Sequence, residues 1–275
     1  MPNILVSSQW LKDHLSSPNL IILDAHLPSN TSKIASTLEG LQIKNARLFD
    51  IKNTFSDQNS ELPNTLPSPK YFETSCRSIG INKDSIIVVY DQIGIYTSPR
   101  VWWMFKTMGH DNVYLLNGGL PEWISQGFET EEKQNASYAK GNFKAQLNPN
   151  AVKNSNQLLE NLNTNEFTVL DARSSDRFKG EKKEPREGLR SGCIPSSINL
   201  PFTEVLENGT FKSVAELKNI FNYLKLDEKE LIFSCGSGIT ACITLVASEL
   251  ISEKKTAIYD GSWTEWGQNH QLPIA

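Results

Sequence analysis

The chain has 275 residues, of which 39% are hydrophobic and 21% charged, as in ordinary globular proteins. Its formal net charge of −4 argues against a nucleic-acid or anionic-membrane partner. No apolar run approaches the ~20 residues that span a bilayer, and the N-terminus MPNILVSSQWLKDHL is unlike a signal or transit peptide, so we expect a cytoplasmic protein with no membrane contact.

The predicted elements alternate between strands and helices along the chain. Apolar, β-branched runs typical of buried parallel strands are IILDA (21–25), IIVVY (86–90), VYLL (113–116), FTVLD (167–171), ELIFS (230–234) and TAIYD (256–260). Helical patterns are SPRVWWMFKTMG (98–109), SVAELKNIFNYL (213–224) and TACITLVASELI (240–251). This alternation predicts an α/β fold in which mostly parallel sheets are flanked by helices.

An internal repeat indicates two tandem domains. NLIILDAH matches EFTVLDAR, and NGGLPEW matches DGSWTEW, with offsets of 147 residues for Asp24 and Asp171 and 143 for Trp123 and Trp266. A period this long indicates a duplicated domain and not a solenoid. We therefore predict a first domain over residues 1–132, a polar linker over 133–150 and a second domain over 151–275.

The turn after the ELIFS strand carries the chemistry of the second domain. Cys235 ends this strand, and a glycine-rich turn leads into the next helix. Such a turn directs backbone N–H groups inward and forms an anion-binding nest at the helix N-terminus, where a thiolate would be stabilised. A cysteine at the end of a buried strand is a small core residue about as often as it is a reactive thiol. A core cysteine, however, does not need the glycines that follow Cys235. We predict Cys235 as a nucleophile, with an anion loop of Gly236, Ser237, Gly238, Ile239 and Thr240.

The four cysteines form no CxxC pair and no metal-ligand spacing, so we interpret them as free thiols and expect neither a metal nor a cofactor. Cys76 and Cys242 fall in helical patterns and are interpreted as buried and inert, whereas Cys193 lies in a loop without an evident base. The first domain has Asp91 where the second has Cys235. We therefore expect the first domain to carry no sulfur and to form one wall of the site in the second domain.

These features resemble the two-domain rhodanese family of sulfurtransferases. CGSGITAC is similar to the loop of the family members that use 3-mercaptopyruvate, and LVSSQWL, YTSPRVWWMFKTMGH, LLNGGLPEW, RFKGEKKEPREG, INLPF and YDGSWTEW look like family blocks. The resemblance covers nearly the whole chain. It implies a first domain that is non-catalytic and a second that is catalytic.

Two arginines of the charge-dense stretch 171–202 are candidates for substrate binding. Arg177 and Arg186 lie in a loop with glycines and a proline that can fold back over the sheet edge, whereas Lys182 and Lys183 suit a solvated surface. A guanidinium fork recognises a carboxylate bidentately, which lysine does less well. The resemblance implies the same two arginines.

The resemblance implies transfer of sulfur from 3-mercaptopyruvate through a Cys235 persulfide to a thiol, such as thioredoxin or a small thiol, or to cyanide, with release of pyruvate. The alternatives are a thiosulfate sulfurtransferase and a catalytically degenerate rhodanese pair that serves as an interaction module. Thiosulfate-type loops carry basic residues beside the cysteine, where this chain has the neutral Gly236 and Ser237. A cysteine-loop phosphatase is disfavoured, because Ala241 stands where such an enzyme needs arginine.

Two positions depart from the family pattern. Gln42 stands where relatives have a histidine, and Cys193 replaces a second one. His110 is interpreted as structural, and His26 is a weak candidate for a replacement proton carrier. The sequence leaves open whether the histidine missing at position 42 is compensated.

Overall fold

A computed structural model describes residues 4–27, 36–38, 40–134 and 136–275, which form two units of the same design. The first unit contains β1 (Leu5–Val6), α1 (Ser8–His14), β2 (Leu20–Asp24), β3 (Leu41–Ile43), β4 (Arg47–Leu48), α2 (Pro69–Ser78), β5 (Ile86–Tyr90), α3 (Ser98–Thr107), β6 (Val113–Leu116), α4 (Gly119–Ser125) and β7 (Thr130–Glu132). The second contains β8 (Val152–Lys153), α5 (Ser155–Thr164), β9 (Phe167–Asp171), α6 (Ser175–Phe178), β10 (Ile198–Asn199), β11 (Leu206–Glu207), β12 (Thr210–Phe211), α7 (Val214–Tyr223), β13 (Glu230–Ser234), α8 (Ala241–Glu249), β14 (Thr256–Tyr259) and α9 (Ser262–Gln268). Short 3-10 helices cover Pro149–Ala151 and Phe202–Val205.

Each unit is built on a five-stranded parallel sheet, and the two sheets have equivalent strand orders. The first is β4-β2-β5-β6-β1 and the second β10-β9-β13-β14-β8. The registers also correspond, since Leu23 lies opposite Val89 in the first sheet and Leu170 opposite Phe233 in the second. The predicted α/β fold with two tandem parallel sheets is therefore confirmed, and the six predicted strands are the three inner strands of each sheet.

The helices follow local sequence signals. α7 begins with a capping box, in which the Ser213 hydroxyl accepts the N–H of Glu216 and the Glu216 side chain accepts the N–H of Ser213. α8 is buried over its first eight residues, as its apolar composition predicts for a helix packed between a sheet and another layer.

The two units share one hydrophobic core. α3 and α8 follow the central strand of their respective sheets and pack against each other. Val101 and Phe105 of α3 belong to the same buried apolar cluster as Leu245 and Val246 of α8. This packing brings the carboxyl ends of both central strands to the boundary between the units.

The segment between the units lies against the first unit. Phe143 is fully buried beside Phe72 and Phe105, and its carbonyl accepts a 2.7 Å hydrogen bond from Nε of Arg77. The segment is polar, as expected, but this contact fixes it to one side. The domain boundaries inferred from the repeat remain a prediction. In the part of the chain that the structure describes, no helix has the length and apolar character of a membrane span.

Candidate active site

Cys235 borders a cleft of about 1140 Å³ that is lined by residues of both units. It follows β13, the central strand of the second sheet, at the edge where ligands bind in parallel α/β folds. The residue is 2% exposed but borders the cleft together with Asn64 and Tyr96 of the first unit and Arg177 and Arg186 of the second. Cys235 thus belongs to the shared buried cluster and at the same time borders the cleft, and its role as a nucleophile stays a proposal.

Two carbonyls of the Cys235 turn are fixed by the start of α9. The Cys235 carbonyl accepts the N–H of Trp263 at 2.9 Å, and the Gly236 carbonyl accepts the N–H of Thr264 at 3.0 Å. The N–H and C=O of one peptide group point in opposite directions, because the group is planar and trans. Holding these carbonyls on the α9 side therefore turns the N–H groups of the following residues away from α9.

Two further carbonyls of the turn are fixed by the first unit. Nδ2 of Asn64 lies 3.4 Å from the Ser237 carbonyl and 3.1 Å from its hydroxyl. Nη1 of Arg100 lies 3.4 Å from the carbonyl of Gly238, and Nη2 is 2.6 Å from Oδ1 of Asp260. The turn is therefore held between the two units.

The N–H groups of the turn differ from its carbonyls in their hydrogen bonding. Among the described residues, none of the N–H groups of residues 236–240 donates a hydrogen bond, although the carbonyls of this turn are occupied. Gly238 has φ +76°, a conformation that a side chain disfavours. α8 begins at Ala241 and adds the positive end of its dipole. The predicted anion loop thus has the geometry of a nest, and its role stays a proposal.

The two predicted arginines converge on this turn. A Cβ placed on Gly236 would lie 3.2 Å from Nη2 of Arg177 and 3.7 Å from Nη1 of Arg186. The loop thus folds back over the sheet edge as the sequence predicted, although the binding role of the two arginines is not tested by their position.

Arg186 carries a positive charge without a carboxylate partner in the described part of the chain. Its Nη2 donates to the Ser237 hydroxyl at 3.2 Å and Nη1 to the Thr264 hydroxyl at 3.3 Å. Burial lowers the pKa of Arg186, and the neighbouring Cys235 sulfur partly offsets that effect. A guanidinium remains protonated at neutral pH, so this cation is available to a ligand anion.

Arg177, in contrast, is neutralised by a buried chain of charges. Its Nε and Nη2 lie 3.1 and 2.6 Å from the two oxygens of Glu184, whose side chain is 1% exposed. Glu184 also accepts from Nη1 of Arg173 at 3.0 Å, and Arg173 pairs with Asp171 at 2.6 Å. The chain alternates in sign and sums to zero, which fixes the Arg177 head at the cleft wall and leaves Arg186 as the guanidinium at this turn that has no carboxylate partner among the described residues.

The other three cysteines lie outside the cleft, as buried free thiols. Burial raises the pKa of Cys76 well above the ordinary value, raises that of Cys193, and raises that of Cys242 to about 12. The inert role expected for Cys76 and Cys242 agrees with these environments.

Gln42 is not among the residues that border the cleft. Gln42 lies in β3, where its Nε2 donates to Glu131 of the adjacent β7 at 2.8 Å. His110 is bonded to the Ser85 carbonyl at 2.9 Å, and burial lowers its pKa. Neither these residues nor His26 borders the cleft. Asn64, Arg100 and Glu184 contact the turn or its arginines instead, and sequence reasoning missed all three.

Comparisons with known proteins point to one family. A rhodanese-like domain matches residues 7–126 and again 154–269. The 3-mercaptopyruvate sulfurtransferase of Mus musculus is 39% identical over 272 residues, which cover 95% of this chain and 91% of the relative. The thiosulfate sulfurtransferase of Rattus norvegicus is 38% identical over 273 residues, with the same coverage of 95% and 91%. The crystal structure of SseA from Escherichia coli, described as a 3-mercaptopyruvate enzyme with the rhodanese fold, matches with a TM-score of 0.84 and 34% identity, over 95% of this chain and 99% of that one.

Proposed function

This chain belongs to the rhodanese family and is a sulfurtransferase, and we propose that it moves the sulfur of 3-mercaptopyruvate through a persulfide on Cys235 to a thiol or cyanide acceptor. The observation that carries the proposal is that the N–H groups of residues 236–240 have no acceptor among the described residues, while the heads of Arg177 and Arg186 both lie beside Gly236. This arrangement suits an anionic sulfur nucleophile beside an anionic donor.

In the first half-reaction, Arg186 binds the donor carboxylate and Arg177 lies beside it. The Cys235 thiolate attacks the donor sulfur, an S–S bond forms, and the C–S bond breaks with its electron pair moving onto carbon. The resulting enolate takes up the proton that the donor thiol carried, so the products are pyruvate and a persulfide anion on Cys235. The arginines stabilise the charge that develops on the leaving enolate.

In the second half-reaction, an acceptor thiolate attacks the outer sulfur of the persulfide. A new S–S bond forms to the acceptor, the bond to Cys235 breaks, and the Cys235 thiolate is regenerated. The free N–H groups stabilise the sulfur anion in both forms of the enzyme. This is a covalent, two-step transfer, for which we expect ping-pong kinetics. A thioredoxin-type protein thiol and a small thiol are both acceptors of the right chemistry, and a cytoplasmic location stays a prediction.

Thiosulfate is the second candidate donor, because a thiosulfate sulfurtransferase is among the relatives. The geometry favours mercaptopyruvate. Gly236 and Ser237 beside the nucleophile are neutral, and the charge chain through Glu184 leaves one uncompensated guanidinium at the turn. One positive charge suits a monoanionic carboxylate better than a dianion. The first unit supplies walls and contacts but has Asp91 in place of a sulfur nucleophile.

Replacement of Cys235 with serine tests the proposal. We expect Cys235→Ser to abolish pyruvate release from 3-mercaptopyruvate and to leave the circular dichroism spectrum unchanged. Intact mass after treatment with donor alone should show one added sulfur on the wild type and none on the variant. Cys193→Ser is the matched control, because its thiol lies outside the cleft, and it should load sulfur normally. Pyruvate release that persists in Cys235→Ser would refute the mechanism, and a wild type without turnover would favour the interaction module.

A further inference from the structure

Arg100 projects from α3 of the first unit to the underside of the Cys235 turn. Its side chain is fully buried, and Nη2 contacts both Oδ1 of Asp260, at 2.6 Å, and the carbonyl of Asn64, at 2.7 Å. Nη1 reaches the Gly238 carbonyl at 3.4 Å. The Arg100–Asp260 ion pair therefore crosses from one unit to the other directly beside the turn.

The internal repeat supplies a comparison for the Asp260 position. Asn117 occupies the equivalent place after β6 of the first sheet. Both side chains accept a backbone N–H from the opposite unit: Asp260 that of Leu66 at 2.7 Å, and Asn117 that of Phe211 at 3.0 Å. The duplicated fold needs only an oxygen acceptor here, which an amide supplies. The negative charge of Asp260 is therefore not needed for this hydrogen bond, and it is present only in the unit that contains Cys235.

The repeat supplies a second comparison for the arginine. α3 and α8 begin at equivalent positions, and Arg100 of α3 corresponds to Ile243 of α8. The two units therefore differ together at two equivalent positions: Arg100 and Asp260 form a buried ion pair beside the Cys235 turn, and the residues that correspond to them, Ile243 and Asn117, are neutral. A buried ion pair contributes little net stability compared with apolar residues of similar size, so stability alone gives no reason for this asymmetry.

We infer that Arg100 is a positioning residue for the anion nest of the Cys235 turn. The carbonyl of Gly238 and the N–H of Ile239 belong to one planar peptide group and point in opposite directions. Arg100 contacts that carbonyl beneath the turn, together with the Cys242 thiol at 3.3 Å, and as the charged donor of the two it directs the Ile239 N–H toward the sulfur side. Asp260 provides the countercharge that allows the guanidinium to be buried there. The inference rests on the proposed sulfur chemistry at Cys235 and assigns the first unit a part in it.

A double substitution replaces the ion pair beside the Cys235 turn with the neutral residue types found at the equivalent positions of the repeat. Arg100→Ile with Asp260→Asn removes both buried charges and keeps an oxygen for the Leu66 N–H, so we expect the folded state to survive. We expect kcat with 3-mercaptopyruvate to fall about tenfold, because one donor of the nest is misdirected. KM should change less than about twofold, because Arg177 and Arg186 are untouched.

The matched control cuts the equivalent contact on the opposite side. Asn117→Ala removes the hydrogen bond to Phe211, and we expect a lower melting temperature with kcat within about twofold of the wild type. If Asn117→Ala lowers kcat as much as the double substitution does, the effect is general loosening between the units and the positioning role is wrong.

A second readout needs no turnover. The rate at which iodoacetamide alkylates Cys235, followed by peptide mass spectrometry, depends on how well the nest stabilises the thiolate. We expect the double variant to react several-fold more slowly and Asn117→Ala to react at the wild-type rate. This measurement decides the inference even if 3-mercaptopyruvate is not the donor. Wild-type kcat together with wild-type alkylation in the double variant overturns it. Should that variant fail to fold, Arg100→Lys, which keeps the charge but lacks the fork, is expected to show the same two decreases, and wild-type values in it overturn the inference.

Discussion

The turns after the two central strands show how one duplicated structure serves two purposes. In the first unit, Asp91 follows β5, and its carboxylate accepts the N–H groups of Tyr96, Thr97 and Ser98 at 2.7–3.0 Å. In the second, Cys235 follows β13, and the N–H groups of its turn have no acceptor in the described chain. The first nest is filled by its own side chain, whereas the second has no acceptor among the described residues, as the proposed binding of a sulfur anion requires.

The coverings of the two turns differ in the same sense. The hairpin of β11 and β12 closes the Asp91 turn, since the N–H of Ile95 bonds to the Gly209 carbonyl at 2.9 Å and a Cβ on Gly94 would lie 2.7 Å from that oxygen. The equivalent loop of the first unit contacts the Cys235 turn through the longer Asn64 side chain. A cleft remains on that side. The Asp91 turn is fully covered and acts as a helix cap, whereas the Cys235 turn is only partly covered and borders the candidate site.

The largest expected effect concerns the cation that completes the open nest. Arg186→Ala should lower kcat/KM for 3-mercaptopyruvate about 100-fold, mostly through KM, because it removes a charge-assisted contact to the donor carboxylate. Steady-state pyruvate release measures this. Lys183→Ala is the control, because this exposed lysine at the cleft rim should leave the kinetics within about twofold. Unchanged kinetics in Arg186→Ala would remove this residue from the donor site.

The next effect concerns the filled nest. Asp91→Ala should lower the free energy of unfolding by about 2 kcal/mol, because buried N–H groups at the start of α3 lose their acceptor. Denaturant titration measures the change. A variant as stable as the wild type would show that the carboxylate does not act as the cap. The Asp91 turn could then no longer be described as the structural counterpart of the Cys235 turn.

The filled nest should also titrate. Burial raises the pKa of Asp91 to about 6, although the N–H donors oppose the shift. In the unfolded chain the carboxyl ionises near its ordinary value of about 3.9, so the folded state binds the proton more tightly. This stabilisation is present at low pH and is lost as pH rises through about 6. Relative to Asp91→Asn, the wild type should lose about 1.4 kcal/mol of unfolding free energy between about pH 5 and pH 7. A pH-independent difference between the two proteins would contradict the buried carboxylate.

The sequence predicted what is local. The inner strands are buried runs such as Ile86–Tyr90 and Glu230–Ser234, which have a clear apolar signal. Edge strands such as Leu5–Val6 have two residues and carry no period that a pattern could reveal. Cys235 could be singled out from the sequence because it lies in one glycine-rich motif. Arg177 and Arg186 could be singled out because they lie in one charge-dense loop.

Contacts between the units could not be predicted in this way. Arg100 and Asn64 reach the Cys235 turn only because α3 packs on α8 and the loop around Asn64 crosses the boundary. No local pattern encodes that contact. The family comparison instead drew attention to Gln42, which the fold places in an antiparallel pair with β7, away from the cleft.

The smallest expected effect comes from the charges behind each turn. Asp24 ends β2 and pairs with Lys133 at 2.8 Å, whereas the equivalent Asp171 begins the chain of charges that ends at Arg177. Glu184→Gln keeps an acceptor for Arg177 and removes one negative charge, so the inner cleft gains one positive charge. We expect the ratio of kcat/KM for thiosulfate to that for 3-mercaptopyruvate to rise several-fold, because added positive charge favours the dianion more than the monoanion.

If Glu184 has a purely structural role, its replacement should lower kcat/KM for both donors equally and leave that ratio unchanged. Glu184→Asp is the control, because it keeps the charge while shortening the side chain, and it should alter both rates without raising the ratio. An equal rise in Glu184→Asp would mean that the position of Arg177 and not the charge of the cleft selects the donor. In that case the difference between the two turns would lie in their shape, with electrostatics a consequence of it.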